Sequence, residues 1–316
     1  MFEFQDKTGV KQRFRKGKRL SLIGDELEKL ATRWLPEGGF SGQPGSDFRP
    51  DATAWGLMAW HSAGLYPERV KLAQDRLEQS QSKDGRVSFA DDHPEAYWPT
   101  ADAIVAWSFS PAHQKAREKA VEFLLRTSGT VFKISEKGIV GHDTSIRGWT
   151  WIDKTHSWVE PTAMGLLALQ ISGNADHARA KEGYRLLLNR QLGSGGWNYG
   201  NTTTYCVELH PSMESTGLAL HALVGHAAEK QVESSLRFLE QGILTARTPL
   251  WLGWSLLGLG AWGKRPAEAL EWIEIALQRQ VDYGSYNTAW LGVLLTAAFC
   301  EKGLAFKESG ASEKQS

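Results

Sequence analysis

The sequence predicts an all-α fold, an (α/α)6 toroid of six inner and six outer helices. Three observations predict it: an apolar octapeptide recurs six times, amphipathic charged segments alternate with it, and Gly-aromatic connectors join the two kinds. The clearest copy is Thr162-Ala-Met-Gly-Leu-Leu-Ala-Leu169. Its relatives are Thr53-Ala-Trp-Gly-Leu-Met-Ala-Trp60, Thr100-Ala-Asp-Ala-Ile-Val-Ala-Trp107, Thr216-Gly-Leu-Ala-Leu-His-Ala-Leu223 and Thr288-Ala-Trp-Leu-Gly-Val-Leu-Leu295, with a weaker copy at Leu252-Gly-Trp-Ser-Leu-Leu-Gly-Leu259. The copies start at 53, 100, 162, 216, 252 and 288, steps of 47, 62, 54, 36 and 36 residues. Such steps fit a helix–turn–helix unit with loops of variable length.

Each repeat is apolar nearly all round and rich in Ala and Gly, so it predicts a helix buried on every side, close to its neighbours. The intervening segments, roughly 20–35, 68–81, 114–127, 176–191, 230–241 and 266–280, are amphipathic. In the third, Val121, Leu124 and Leu125 share a helical face against Lys119, Glu122 and Arg126. Alternation of this kind closes economically as two concentric rings with the apolar helices inside. The connectors carry Gln191-Leu-Gly-Ser-Gly-Gly-Trp197, with weaker versions at 81–89 and 280–286 and Gly38-Gly-Phe40 at the first. There glycine supplies the left-handed turn that ends a helix, Gln can satisfy orphan carbonyls, and the aromatic packs over the turn.

The chain of 316 residues balances 36 Lys+Arg against 36 Asp+Glu and is 41% hydrophobic. This composition is that of a globular protein and argues against nucleic acid as a partner. One ring domain is expected over 20–300, with a basic arm at 1–19 and a polar tail at 301–316. The arm could touch anionic membrane, making peripheral membrane contact a secondary expectation. Two cysteines suit a reducing compartment, and no signal-peptide pattern opens the chain. The uncharged stretches 248–263 and 283–300 read as buried helices rather than spans. A cytoplasmic protein is expected.

Glycine-rich phosphate loops, Cys-x-x-Cys pairs and a Gly-x-Ser-x-Gly elbow are not found. The 14 Trp, spread from Trp34 to Trp290, exceed what a generic core needs.

The Gln-x(3)-Gly-Gly-Trp element at 191–197, the repeated Thr-Ala-x-Gly-Leu-x-Ala-Leu helices and Trp158-Val-Glu-Pro-Thr-Ala163 resemble the squalene–hopene cyclase and protein prenyltransferase superfamily. The similarity runs from about Trp34 to Phe299. It implies a central, aromatic-lined cavity for an isoprenoid. In the family's cyclases an Asp-x-Asp-Asp-Thr-Ala motif opens an inner helix and its middle Asp protonates an alkene or epoxide. Arg49-Pro-Asp-Ala-Thr-Ala54 matches in Asp51, Thr53 and Ala54, with Asp51 at the middle position and Arg49 and Ala52 replacing its neighbours. The prenyltransferase branch holds zinc with Asp, Cys and His, a set without a clean match here; no cofactor or metal is expected. The cyclases usually carry a second helical domain, whereas this chain resembles one ring alone.

Aligning the repeats on their opening Thr exposes a polar constellation. Two positions earlier stand Asp51, Trp98, Glu160, Glu214, Leu250 and Tyr286; six earlier stand Asp47, Pro94, His156, His210, Ala246 and Asp282. Pseudosymmetry should bring these to one mouth of the ring. Clustered carboxylates repel, so one keeps its proton and becomes an acid. Carboxylates at helix N-termini also complement the macrodipole, a purely structural role.

The leading expectation is a terpene-cyclase-like enzyme starting carbocation chemistry with Asp51, helped or replaced by Glu160 and Glu214, with His156 and His210 orienting them. Trp55, Trp98, Trp158, Trp197, Tyr286 and Trp290 would line the substrate. Two alternatives stay open: a metal-dependent enzyme of another class at the His/Glu mouth, and a non-catalytic isoprenoid- or protein-binding ring, such as a subunit needing a partner.

Overall fold

A computed structural model describes residues 21–132 and 140–304. The basic arm 1–19 and most of the tail 301–316 therefore lie outside the described residues. What is described is mostly helical, with one two-stranded hairpin, β1 (Thr203–Thr204) against β2 (Val207–Glu208).

The apolar repeats form α2 (Pro50–Ala63), α4 (Pro99–Trp107), α6 (Val159–Ile171), α8 (Met213–Leu223), α10 (Pro249–Ala261) and α13 (Thr288–Phe299). The amphipathic segments form α1 (Ser21–Lys29), α3 (Pro67–Gln79), α5 (Gln114–Arg126), α7 (Ala178–Asn189), α9 (Glu229–Gly242) and α11 (Ala269–Gln278), with the short α12 (Gln280–Tyr283) after the last. Packing among the apolar helices runs α2–α4–α6–α8–α10–α13 and returns from α13 to α2. Each of the first five packs against the amphipathic helix that follows it, and α13 packs against α11 and α1. The opposite faces of the amphipathic helices meet water.

The recurrent threonine has a backbone function. Thr53, Thr100, Thr162 and Thr216 each accept a hydrogen bond through Oγ1 from a connector N–H, at Phe40, Val87, Trp149 and Trp197, over 2.9–3.0 Å. The same hydroxyls donate back to the carbonyls of those four residues. One side chain thus satisfies both polar groups of a buried backbone unit, which would otherwise be orphaned. Thr288 closes the circle differently: its N–H donates to the Gly42 carbonyl and its Oγ1 donates to the Ser41 carbonyl. Arg33 donates to the Tyr286 carbonyl across the same seam.

Buried tryptophans tie the layers. The indole N–H groups of Trp60, Trp107, Trp149 and Trp197 donate to the carbonyls of Leu27, Gln74, Leu124 and Leu187 on amphipathic helices. Each indole buries its apolar body while its N–H finds a partner. Glycine sets the closest approach. A Cβ on Gly217 would collide with the Trp254 backbone, and one on Gly258 with the Gly217 carbonyl, so α8 and α10 lie nearly backbone to backbone. At Gly85 the left-handed φ of 95° seats the connector against the Lys119 carbonyl, where a side chain would clash.

Candidate functional site

The six apolar helices converge on a cavity of about 350 Å³. Each contributes residues from its N-terminal end. Numbered from the opening Thr, the cavity takes the positions two before (Asp51, Trp98, Glu160, Glu214, Leu250) and two after (Trp55, Asp102, Met164, Leu218, Trp254, Trp290). These positions are four apart and so lie on one helix face, one above the other. Trp151, from the long connector before α6, completes the aromatic lining. Trp55 meets Trp254 edge-on at 5.4 Å, and Trp98 meets Trp151 likewise. A wider, more polar vestibule of about 460 Å³ adjoins this chamber and shares Arg49, Asp51, Asn287 and Ala289 with it.

The three carboxylates singled out from the sequence line this one cavity. Asp51, buried in the first turn of α2, is held bidentate by Arg49, Nε to Oδ1 at 2.9 Å and a terminal nitrogen to Oδ2 at 2.8 Å. Arg49 itself lies 3.7 Å over the Phe89 ring. The pair is planar and charge-assisted, the strong form of an Arg–carboxylate contact. Glu160 accepts a hydrogen bond from the Ser215 hydroxyl at 2.8 Å. Its carboxyl is pushed up to about 8, by burial first and by the charge of Glu214 second. Glu214 is half-buried and also raised, through burial. The two acids hydrogen-bond each other, so near neutrality they hold a proton as a pair.

A fourth acid was not singled out from the sequence. Asp102, on the cavity-facing side of α4, is raised well above the ordinary carboxylate range by burial, then by the charge of Asp51. A hydrogen bond from Trp55 opposes the shift. Its Oδ2 is buried without a hydrogen-bond partner among the described residues. The signal was present in the repeat: Asp102 stands two after Thr100, where the other copies carry only Trp, Met or Leu. Acids or histidines recur in the columns two and six before the Thr, and in the second of these Asp47, His156 and His210 stand outside the helices.

That geometry separates the remaining candidates. His156 and His210 are not brought to the cavity: His156 packs 4.2 Å from Trp158 beside another pocket, and His210 is exposed. Trp55, Trp98 and Trp290 line the cavity. Trp158, Trp197 and Tyr286 do not; Trp197 is a buried wedge, and the Tyr286 hydroxyl donates to the Ala276 carbonyl. Among the described residues no group of three His, Cys, Asp or Glu side chains could hold a metal ion. None of the described helices is long and apolar enough to cross a membrane.

No protein-family profile matches the sequence, and no curated protein matches it. Solved structures do. A protein from Actinoplanes matches with TM-score 0.58 at 14% identity, over 89% of this chain and 98% of its own. A type II terpene cyclase, MstE from Scytonema, in complex with its substrate geranylgeranyl dihydroxybenzoate, matches with TM-score 0.57 at 12% identity, over 91% and 99%. A novel alpha-amylase from Clostridium perfringens matches with TM-score 0.57 at 9% identity, over 89% and 98%. At these identities the likeness carries the fold, which is terpene-cyclase-like, and leaves the chemistry to the site.

Proposed function

We propose that the chain is a single (α/α)6 toroid over 20–300 that acts as a terpene-cyclase-like enzyme, protonating an apolar isoprenoid in its axial cavity. The closed packing order of the six apolar helices supports the ring. The observation that carries the reaction is Asp102: a buried acid with one unpartnered oxygen, among the described residues, in a chamber walled by Trp55, Trp98, Trp151, Trp254 and Trp290.

In this reading Asp102 transfers its proton to one alkene carbon of the substrate, leaving a carbocation on the other and a carboxylate behind. Trp55, already hydrogen-bonded to Asp102, steadies that carboxylate, while Asp51 stays paired with Arg49. The aromatic faces stabilise the cation through their quadrupoles while an internal alkene attacks it and closes a ring. Loss of a proton to the ionised member of the Glu160–Glu214 pair completes an isomerisation with no net change in atoms. Asp51 thus keeps its neighbour protonated rather than giving the proton itself.

The wall composition also speaks to substrate class. Met164, Leu218, Leu250, Ala289 and Val293 fill the gaps between the tryptophans. Such side chains suit a hydrocarbon chain, while Arg49, Asn287 and the carboxylates of the same wall are the groups a sugar would need, and an alpha-amylase shares the fold. Incubation with squalene and with prenyl diphosphates, followed by mass spectrometry, tests the reading. Asp102→Asn should lower turnover about 100-fold or more, the usual contribution of a general acid. Wild-type turnover in that variant would refute the assignment.

A further inference from the structure

Taking the axial chamber as the isoprenoid site just proposed, we infer that its substrate carries an uncharged, hydroxyl-bearing head group, not a diphosphate, and that the adjoining vestibule holds this head. The two spaces are joined through Arg49, Asp51, Asn287 and Ala289, which line both. They differ in character. Tryptophans and aliphatic side chains wall most of the chamber, whereas the vestibule of about 460 Å³ adds Gln43, Ser46 and Asp47. These three residues are exposed, so a molecule entering from water can reach them. A hydrocarbon tail seated in the chamber therefore leaves the other end of the same molecule among polar groups.

Charge decides which head fits. Proteins hold a diphosphate with Lys and Arg, or with Mg²⁺ seated on carboxylates. Among the described residues Arg49 is the one cation lining either space, and its Nε and one terminal nitrogen are committed to Asp51 at 2.9 and 2.8 Å. Asp47 places a further carboxylate in the vestibule, and the Glu160–Glu214 pair, holding one proton between two acids, adds negative charge deeper in. A neighbouring pocket meets the vestibule at Asp47; it brings Arg76, which lies 4.4 Å over the Phe48 ring, but also Asp91. Among the described residues no group of three His, Cys, Asp or Glu side chains could hold a metal ion to bridge a diphosphate to these acids. A diphosphate would thus enter against a wall of its own sign, which is costly. A hydroxyl meets the reverse situation. Asn287 Oδ1 accepts from the Trp290 N–H at 2.9 Å, so its Nδ2 is left to donate into the space it lines. Asp47 offers an acceptor in the same vestibule, and a hydroxyl can serve both.

Quenching of tryptophan fluorescence in the full chain tests this by binding alone, at one fixed detergent concentration. The ligands are geranylgeraniol, geranylgeranyl diphosphate with and without magnesium, and the same chain with hydrogen in place of the head. One hydrocarbon is common to all three, so the head alone separates them. The alcohol should bind about tenfold or more tighter than the diphosphate, and several-fold tighter than the headless chain, the worth of a hydrogen bond. Asp47→Lys, at an exposed position, should narrow the gap between alcohol and diphosphate about threefold or more by reversing one charge in the vestibule. Asp102→Asn should keep the wild-type order of affinities whether or not it turns substrate over, so a failure of proton transfer at Asp102 gives a different result from a failure here. Diphosphate binding as tight as that of the alcohol, with magnesium or without, would overturn the uncharged head, as would an unchanged gap in Asp47→Lys. Equal binding of the headless chain would overturn the role of the hydroxyl. Absence of binding by all three would refute the isoprenoid reading itself, and this inference with it.

Discussion

At the scale of single residues, all four cavity acids sit in the first turns of their helices, where the macrodipole favours negative charge. Burial opposes this, and the surroundings differ from acid to acid. Asp51 has a guanidinium across two short hydrogen bonds, whereas Glu160 faces another carboxyl and Asp102 faces Asp51. Glu160 offers a thermodynamic test. Its folded-state value of about 8 lies above the ordinary 4.5, so the native protein binds more protons than the unfolded chain between those limits. Stability therefore falls as pH rises from 4.5 towards 8. Glu160→Gln should flatten that decline and be more stable than wild type at the upper end by a few kcal/mol. Urea unfolding across the range measures it; parallel curves for the two proteins would show that Glu160 is ionised in the fold. The repeat alignment made Asp51, Glu160 and Glu214 legible because all three occupy one column. Asp102 stayed hidden because its column is otherwise apolar, and a lone acid among Trp, Met and Leu gives no pattern.

At the scale of elements, the amphipathic and apolar segments expected from sequence correspond to the helices within a few residues at either end. What periodicity could not sort was the tryptophans. Trp55 and Trp60 share one helix, α2, two and seven residues after the opening Thr53. Five residues turn the helix by roughly 140°, so the two indoles leave on different faces. The first faces the cavity and the second faces α1, where its indole N–H meets Leu27. Position within the repeat, not residue type, separates cavity wall from wedge. The opening threonine was used from sequence only as an alignment mark, yet its hydroxyl holds the connector to the helix in four units. Thr216→Val keeps the shape and removes the hydroxyl, leaving the buried Trp197 N–H unpartnered. Denaturation should report a loss of about 1–3 kcal/mol. A neutral result would mean that the connector is held by packing alone.

At the scale of the whole molecule, the closed packing order of the apolar helices makes one shared chamber out of six separate helix ends. No single unit contains a site; Asp51, Asp102, Glu160 and Glu214 come from four of them. This is why neither the Asp51 motif nor any other local pattern in the sequence specified the chamber, and why the His–Glu pairing within one connector did not survive folding. His156 and Glu160 are four apart in sequence, but only Glu160 lies in the helix that reaches the cavity. The same architecture serves a terpene cyclase and an alpha-amylase, so the wall and its acids must carry the function.

The most direct measurement follows the proton. Turnover of a prenyl substrate in deuterated water, read by mass spectrometry, should place one solvent-derived deuterium on the alkene carbon that starts the cascade, and Asp102→Asn should form almost none of that product. A product without deuterium, or the same labelled product from Asp102→Asn at the wild-type rate, would contradict proton-initiated chemistry at Asp102.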